Sequence, residues 1–235
     1  MSWLLDRLVG RKPDLTSPQM QRLAAWQALP PPRQNTPFNE SRYVVVDVES
    51  SGLNISRDRL IAIGAVAVAN GRIRLDDSFE IVLQQAQVSE KDNILIHGIG
   101  GTAQREGMPA ADALLAFLEY LGKDPLIAFH VAFDESMIGR AMRTFLGLDF
   151  RHAWADLAYV APALHPQLAR RYRTLDDWMG RFGIGNYARH NALADALSTA
   201  ELLLALRPGL APRGMASFGG LKRLEQEHRR QTLSV

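Results

Sequence analysis

The chain has no cysteine among its 235 residues. This absence excludes disulfide bonds, zinc–thiolate sites and cysteine nucleophiles, and it fits a cytoplasmic protein. Long apolar runs are also missing, because no uninterrupted stretch approaches the roughly 18 residues that a membrane span requires. Residues 1–7 lack a basic region followed by a long apolar one, so we expect no signal peptide. We therefore predict a cytoplasmic protein without a transmembrane segment.

A strong excess of charge is absent from the chain as a whole but not from its parts. The formal net charge is +2. Residues 1–42 carry six basic and three acidic groups, residues 207–235 carry six and two, and residues 43–206 have a net charge of −5. Basic ends beside an acidic body suit a polyanionic ligand, and simple solvation of both ends is the alternative.

The middle of the chain predicts an α/β fold. Apolar, β-branched segments come first, and Asn70-Gly71 between two of them is typical of a tight hairpin. Strands are predicted at 43–49, 60–69, 72–75, near 78–83 and at 125–130. Helical spacing of apolar residues predicts helices at 109–121, 134–146, 156–164, 174–182 and 191–206. Strands in succession, followed by strands alternating with helices, indicate a mixed sheet flanked by helices.

Both ends of the chain are predicted to lie outside a main domain at 42–206. Residues 1–36 are predicted to form a helical extension, because Ser17-Pro18 is a good helix start with Ser17 as N-cap and the three prolines at 30–32 make a stiff linker. Residues 207–235 form a basic C-terminal tail that could be helical. Docking of the extension on the main domain is the simplest expectation, and binding to a partner or a membrane surface is the alternative.

Four acids lie within or at the end of otherwise apolar segments. Asp47 and Glu49 are two positions apart on a predicted strand, so both carboxylates point to one face. Asp134 ends an apolar run, and Asp195 lies on a predicted helix five residues after His190. Burying an acid is costly unless a cation pairs with it, and oxygen-only ligands select hard ions such as Mg²⁺ or Mn²⁺. The clusters together indicate a divalent-metal site for phosphoryl chemistry.

Each cluster alone has a simpler explanation. An Asp-x-Glu pair can lie on a solvated edge strand, although the neighbouring valines argue against that here. Asp134 could simply cap a helix. A histidine beside a helix rich in Ala and Leu is usually a packing or capping residue.

Three ordered motifs resemble those of the DEDDh 3′–5′ exonuclease family, which includes the polymerase III epsilon proofreading subunit, RNase T and oligoribonuclease. The first is similar to the family's D-x-E-T-T-G-L element and reads Asp47-Val48-Glu49-Ser50-Ser51-Gly52-Leu53. The second ends in Phe133-Asp134. The third matches H-x-A-x-x-D-A and reads His190-Asn191-Ala192-Leu193-Ala194-Asp195-Ala196. The resemblance covers about residues 42–206 and implies an RNase H-like fold.

Further positions resemble the epsilon-like branch of that family. They are His97-Gly98-Ile99, Trp154-Ala155-Asp156 and Leu175-Asp176-Asp177-Trp178. The tyrosine variant of the family does not fit, because Asn191 stands four residues before Asp195. We expect Asp156 to be a structural cap or an indirect contributor to the site.

Two departures from the family pattern affect substrate contacts. Ser50 and Ser51 stand where the family has threonines, which keeps the hydroxyl groups. The family often has His-Asn in the second motif, whereas Phe129-His130 stands here. The change leaves the acids untouched and introduces His130 as a second candidate base.

The resemblance implies hydrolysis of phosphodiesters from a 3′ end with two divalent cations, Mg²⁺ or Mn²⁺. The expected metal ligands are Asp47, Glu49, Asp134 and Asp195. His190 would deprotonate the attacking water and ranks above His130 in that role. The expected substrate contacts are Ser50, Ser51, Gly52, Leu53, His97 and His130.

The leading hypothesis is an enzyme that releases nucleoside 5′-monophosphates from single-stranded or frayed 3′ ends, with DNA favoured, as in epsilon-like proofreading or repair. A 3′–5′ exoribonuclease similar to RNase T or oligoribonuclease is one alternative. A non-catalytic module of the same fold that binds nucleic acid or a polymerase is another. Residues 1–36 or the C-terminal tail could recruit a polymerase or another protein partner.

Overall fold

Five strands form one mixed sheet at the centre of the molecule. The computed structural model describes residues 13–33, 35–186 and 188–233. The strands are β1 (Arg42–Ser50), β2 (Leu60–Ala69), β3 (Arg72–Val82), β4 (Leu126–Ala128) and β5 (Trp154–Asp156). Their order across the sheet is β3-β2-β1-β4-β5, with β2 antiparallel to β1 and β3, and with β4 and β5 parallel to β1. This sheet confirms the predicted α/β class with a mixed sheet.

Helices cover both faces of the sheet. Within the described residues they are α1 (Ser17–Gln27), α2 (Lys91–His97), α3 (Gly101–Arg105), α4 (Ala110–Leu121), α5 (Val131–Leu146), α6 (Leu157–Leu164), α7 (Leu175–Phe182), α8 (Ala192–Leu210) and α9 (Phe218–Leu233). The helices α4 and α5 pack with one apolar cluster, and α6, α7, α8 and α9 pack with a second cluster on the opposite face. None of the described helices is long and apolar enough to cross a lipid bilayer.

β1 is buried on both faces, which explains its nearly continuous valine run. Val44, Val46 and Val48 belong to the cluster under α4 and α5. Val45 faces the other way, with α6 and α8. Because side chains alternate along a strand, the acids at odd-numbered positions further along β1 share the α8 face.

Several predicted boundaries were wrong. The segments 72–75 and 78–83 are one continuous strand, β3, because a β-bulge opposite Val66 and Ala67 absorbs the polar residues between them. α5 starts at Val131 and not at 134, since the left-handed residue His130, two positions after the end of β4, turns the chain into the helix. α8 runs to Leu210 and not to 206, where the side chain of Leu210 is buried in the core.

Sequence reasoning missed three short elements. β5 has only three residues, too few to show a period, and its pairing with β4 defines it. α2 and α3 have seven and five residues and carry mixed polar and apolar side chains. Each is shorter than the window over which helical periodicity can be recognised.

The extension packs on the main domain through α1. Its N-cap is Thr16 and not the predicted Ser17, with Pro18 in the first turn. Arg22 pairs with Glu119 of α4 at 2.7 Å, and the indole N–H of Trp26 donates to the carbonyl oxygen of Gly122 at 2.6 Å. The part of the extension before residue 13 lies outside the described residues.

Candidate active site

Two of the predicted metal ligands lie near the carboxyl end of β1. Asp47 and Glu49 share the strand face that α8 covers. Asp47 lies opposite Gly64 of β2. A Cβ atom at Gly64 would be 2.1 Å from the backbone nitrogen of Leu193, so only glycine lets the start of α8 come this close to the sheet. Gly64 thus brings α8 alongside the two acids.

Asp195 joins these acids from the first turn of α8. The helix is capped by Asn191, whose side-chain oxygen accepts the N–H of Ala194 at 2.9 Å. One carboxylate oxygen from each of Asp47, Glu49 and Asp195 lies within 4.8 Å of the other two. The three acids are therefore close enough to share a cation.

Asp134 approaches the same end of β1 from the helix on the other face. It lies in the first turn of α5 and is only 4% exposed. The backbone of Val48 favours the charged form of its carboxylate and so opposes the rise in its pKa. It is not within the 4.8 Å group of the other three acids, although its charge interacts with that of Asp47. The structure brings all four acids to one end of β1, with Asp134 as the outlying member.

The pKa values of the clustered acids are raised, so their ionised forms are unfavourable without a positive charge nearby. Burial, followed by the charge of Asp195, raises the pKa of Asp47 to about 8. Burial, followed by the charges of Asp47 and Asp195, raises the pKa of Glu49 to about 9. Burial and Asp47 also raise the pKa of Asp134. A donor set made only of carboxylate oxygens, in which burial and neighbouring charges disfavour the ionised forms of Asp47, Glu49 and Asp134, fits a hard divalent cation such as Mg²⁺ or Mn²⁺.

Arg189 supplies one positive charge to the cluster, and sequence reasoning missed it. Its Nη1 atom forms an ion pair with Asp195, and its Nε atom lies 2.8 Å from a carboxylate oxygen of Asp176. The side-chain amide of Asn186 donates to the other oxygen of Asp195 at 2.5 Å. The charge of Arg189 opposes the rise in the pKa of Asp47. Its place directly before the histidine of the third motif is the signal that could have identified it.

His190 lies in a left-handed turn directly before α8. Its φ angle is 60°, and its backbone N–H donates to Oδ2 of Asp195 at 3.1 Å. The residue is exposed and lines the same cavity as Asp47 and Glu49. The imidazole is therefore open to solvent and adjacent to the acids.

A cavity of about 540 Å³ opens beside the clustered acids, and its lining includes Asp47, Glu49 and Asp195. The predicted substrate-contact residues that line it are Ser50, Gly52, Leu53, His97 and His130. Leu53 is 88% exposed at its rim. Ser51 does not line the cavity, because its hydroxyl donates to Asp58 at 3.2 Å and accepts the N–H of Arg59 at 2.9 Å. The Ser51 side chain thus holds the loop that follows β1. Further lining residues that sequence reasoning did not select are Asn93, Ile96, Phe133, Thr174 and Leu175.

His97 is a buried histidine in the last turn of α2. It is 6% exposed, and its Nδ1 atom accepts the backbone N–H of Ile99 at 3.0 Å. Burial lowers its pKa, which favours the neutral ring with its proton on Nε2. Nε2 has no hydrogen-bond partner among the described residues. His97 therefore has a buried Nε2 atom without a described partner, in a side chain that lines the cavity.

His130 is positioned by its backbone. It adopts a left-handed conformation (φ 66°, ψ 52°) at the N-cap of α5. Its backbone N–H donates to Oδ1 of Asp156 at 3.0 Å, and Asp156 also caps α6 by accepting the N–H of Ala158. The imidazole is exposed at the cavity and lies against the ring of Phe129.

This geometry can be compared with known proteins. The sequence model of the RNase T family, described as an exonuclease family, matches residues 44–203. The chain belongs to this exonuclease family. The match confirms the family resemblance and the predicted enzyme class, and members of the family use divalent metals.

Relatives with known names are polymerase III proteins. The exonuclease is 26% identical over 189 residues to the DNA polymerase III epsilon subunit of Aquifex aeolicus, covering 80% of this chain and 91% of the relative. It is 27% identical over 198 residues to an epsilon-like protein of Rhodobacter capsulatus, covering 83% and 28%. A PolC-type DNA polymerase III of Thermotoga maritima is 27% identical over 188 residues, covering 80% and 13%. The chain thus spans only a small part of the PolC-type polymerases.

Solved exonuclease structures share the fold of this exonuclease. E. coli exonuclease I in complex with a dT13 oligonucleotide has a TM-score of 0.61 at 18% identity, covering 74% of this chain and 42% of that one. Exonuclease X in complex with 5′-overhanging duplex DNA has a TM-score of 0.61 at 16% identity, covering 78% and 99%. The likeness confirms the RNase H-like arrangement of the sheet.

Proposed function

We propose that this protein is a metal-dependent 3′–5′ exonuclease that hydrolyses phosphodiesters at the 3′ end of nucleic acid and releases nucleoside 5′-monophosphates. The observation that carries the proposal is the convergence of four acids from β1, α5 and α8 at one end of β1, where Asp47, Glu49 and Asp195 line a cavity together with His190. The acids come from three segments that are far apart in the chain, at residues 47–49, 134 and 195. The fold and not local sequence therefore assembles the site.

The acids form the metal-binding part of the proposal. The proposed metal ligands are the grouped acids Asp47, Glu49 and Asp195, together with Asp134 of α5. A pair of Mg²⁺ or Mn²⁺ ions bound there would stabilise the attacking and leaving oxygens. The raised pKa values of Asp47 and Glu49 mean that both carboxylates gain strongly from a positive charge beside them.

His190 is the proposed general base. An imidazole nitrogen of His190 would accept a proton from water at the cavity, and general-base assistance of this kind typically contributes about 10²–10⁴-fold to a rate. Its backbone bond to Asp195 fixes the residue beside a metal-binding acid. His130 lies on a different turn that lines the same cavity, and we place it among the substrate contacts.

The cavity would receive the terminal nucleotide. Leu53, exposed at the rim, would pack against the base, and the small residues Ser50 and Gly52 would leave room for the sugar and phosphate. The Nε2–H of His97 would donate to an acceptor on that nucleotide, because it has no described protein partner. His130 would contact the substrate from the other side.

DNA is the proposed substrate, as a single-stranded or frayed 3′ end. Supporting observations are the names of the relatives, which are polymerase III proteins, and the DNA bound in two structures that share the fold. A polymerase partner would bind residues 1–36, where Met20 is exposed on α1, because the apolar residues Leu221 and Leu224 of α9 are already buried.

A product assay tests the proposed function. Pure protein with Mn²⁺ and a 5′-labelled single strand of DNA should give a ladder that shortens one nucleotide at a time, and a matched RNA strand should be degraded more slowly. Asp195→Asn should abolish the ladder. Asp76→Asn, which removes an exposed acid on β3 far from the cavity, is the matched control and should leave it intact. Undegraded strands under all these conditions, or internal cleavage, would contradict the proposal.

A further inference from the structure

The C-terminal helix α9 lies beyond the region that the family model matches, which ends at residue 203. It packs against α6 and against the edge strand β5. Its apolar residues Leu221 and Leu224 are buried in the cluster on the α8 face. Glu225 on the same helix is only 1% exposed, so α9 brings a buried acid to the edge of the sheet.

Arg229 links this acid to β5. Its Nε atom donates to Oε1 of Glu225 at 2.8 Å, and its Nη2 atom donates to Oδ2 of Asp156 at 3.0 Å. The second oxygen of Glu225, Oε2, accepts the backbone N–H of Asp156 at 3.1 Å. Lys222 also donates to Glu225, at 3.1 Å, and the Arg229 guanidinium lies 3.7 Å from the ring centre of Tyr159. α9 therefore holds both the backbone and the carboxylate of Asp156.

Asp156 also stabilises the turn at His130, which connects β4 to α5. Its Oδ1 atom accepts the N–H of His130 at 3.0 Å. A residue other than glycine rarely adopts the left-handed conformation of His130 unless its surroundings fix it. α5 begins directly after that turn and carries Asp134 in its first turn. This turn is thus the connection between β4 and the first turn of α5, where Asp134 lies.

We propose that Arg229 and Glu225 are positioning residues for the active site. Both residues hold Asp156 in position. Asp156 stabilises the left-handed turn at His130, and this turn positions Asp134. The consequence is that α9 is part of the catalytic unit and not a separate tail. The inference about activity rests on the proposed exonuclease function, whereas the inference about the turn does not.

Two readouts on the full-length protein test this inference separately. Arg229→Ala leaves two buried carboxylates without their shared cation, and Arg229→Lys keeps the charge but loses the two-pronged contact. The control is Arg223→Ala, which removes an exposed positive charge from the same helix. The first readout is backbone hydrogen exchange, without nucleic acid, in a peptide covering residues 129–134 and in a reference peptide covering residues 62–68 of β2, which is paired on both sides. The second is kcat and KM on a labelled single strand with Mn²⁺.

We expect Arg229→Ala to speed hydrogen exchange at residues 129–134 at least about tenfold and to leave exchange at residues 62–68 unchanged. It predicts a fall in kcat of about 10- to 100-fold, as expected when a catalytic group is misplaced, with KM within about threefold. Arg229→Lys should be intermediate, and Arg223→Ala should behave as wild type. Exchange at 129–134 that is unchanged, or that rises equally in both segments, overturns the inference.

The experiment still decides the question if Arg229→Ala does not fold or if the wild type has no nuclease activity. If Arg229→Ala does not fold, Glu225→Gln keeps an acceptor for the N–H of Asp156 and weakens the contacts with Arg229 and Lys222. It should raise exchange at 129–134 by a smaller factor, and no change there overturns the inference. If the wild type shows no nuclease activity, the proposed function fails while the exchange data still decide whether α9 holds the turn.

Discussion

Replacing Asp47 by Asn should stabilise the protein when divalent ions are removed. Burial and the charge of Asp195 raise the pKa of Asp47 to about 8 in the folded protein, whereas an unfolded Asp has a pKa of about 3.9. Between these values the folded protein binds a proton that the unfolded chain has lost. The free energy of unfolding therefore falls as the pH rises through that window. Asn resembles the protonated acid in shape and has no such dependence.

The size of the effect follows from the pKa difference. A difference of about four units is worth about 5 kcal/mol at pH 8, at about 1.4 kcal/mol per unit. Because the charge of Asp47 also raises the pKa of Glu49, the two ionisations are linked, and we expect about 2–4 kcal/mol of this to be recovered by the single change. For a chain of this length, 1 kcal/mol shifts Tm by about 2–4 °C. Asp47→Asn should therefore raise Tm by at least about 4 °C at pH 8.

Thermal unfolding followed by circular dichroism in EDTA measures the effect. The difference between Asp47→Asn and the wild type should grow from pH 5 to pH 8, and Asp76→Asn should show no such growth. With Mn²⁺ present the order should reverse, because the ion stabilises only the protein that can bind it. A variant that is less stable than the wild type at pH 8 in EDTA, or a difference that does not change with pH, would refute the reasoning.

Three other predictions concern the base, the arginine and the extension. His190→Ala should lower kcat by about 10²–10⁴-fold without weakening Mn²⁺ binding by calorimetry, and His130→Ala should reduce kcat far less; the reverse order would move the base to His130. Arg189→Ala should tighten Mn²⁺ binding by calorimetry, because it frees Asp195 from an ion pair; weaker binding would show that the arginine instead organises the site. Deleting residues 1–36 should lower Tm, since α1 loses its contacts with α4, and an unchanged Tm would argue against a stabilising role for that contact.

The proposed metal ligands could be selected from the sequence because charged carboxylates stand within or at the end of apolar segments. Asp47 and Glu49 interrupt a valine run, and Asp134 ends another apolar run, so each needed a reason to be buried. Gly64 could not be selected in this way, because a glycine among apolar residues is not unusual in a sequence. Its role depends on how closely Leu193 approaches it, and that distance exists only in the folded protein.

The remaining parts of the site come from contacts between distant segments. Arg189 is one of many arginines, and only the fold places it between Asp195 and Asp176. Arg229 is separated from Asp156 by 73 positions, and no local pattern links the two. β5, which carries Asp156, is too short for a periodic signal and exists as a strand only because β4 pairs with it. Periodicity therefore predicted the long elements and missed these connections.

The most direct test of the metal-binding claim is an anomalous difference map from a crystal grown with Mn²⁺. The account predicts two peaks about 4 Å apart, in contact with carboxylate oxygens of Asp47, Glu49, Asp134 and Asp195. A well-ordered cavity without a peak between these acids, or manganese bound only elsewhere on the protein, would contradict it.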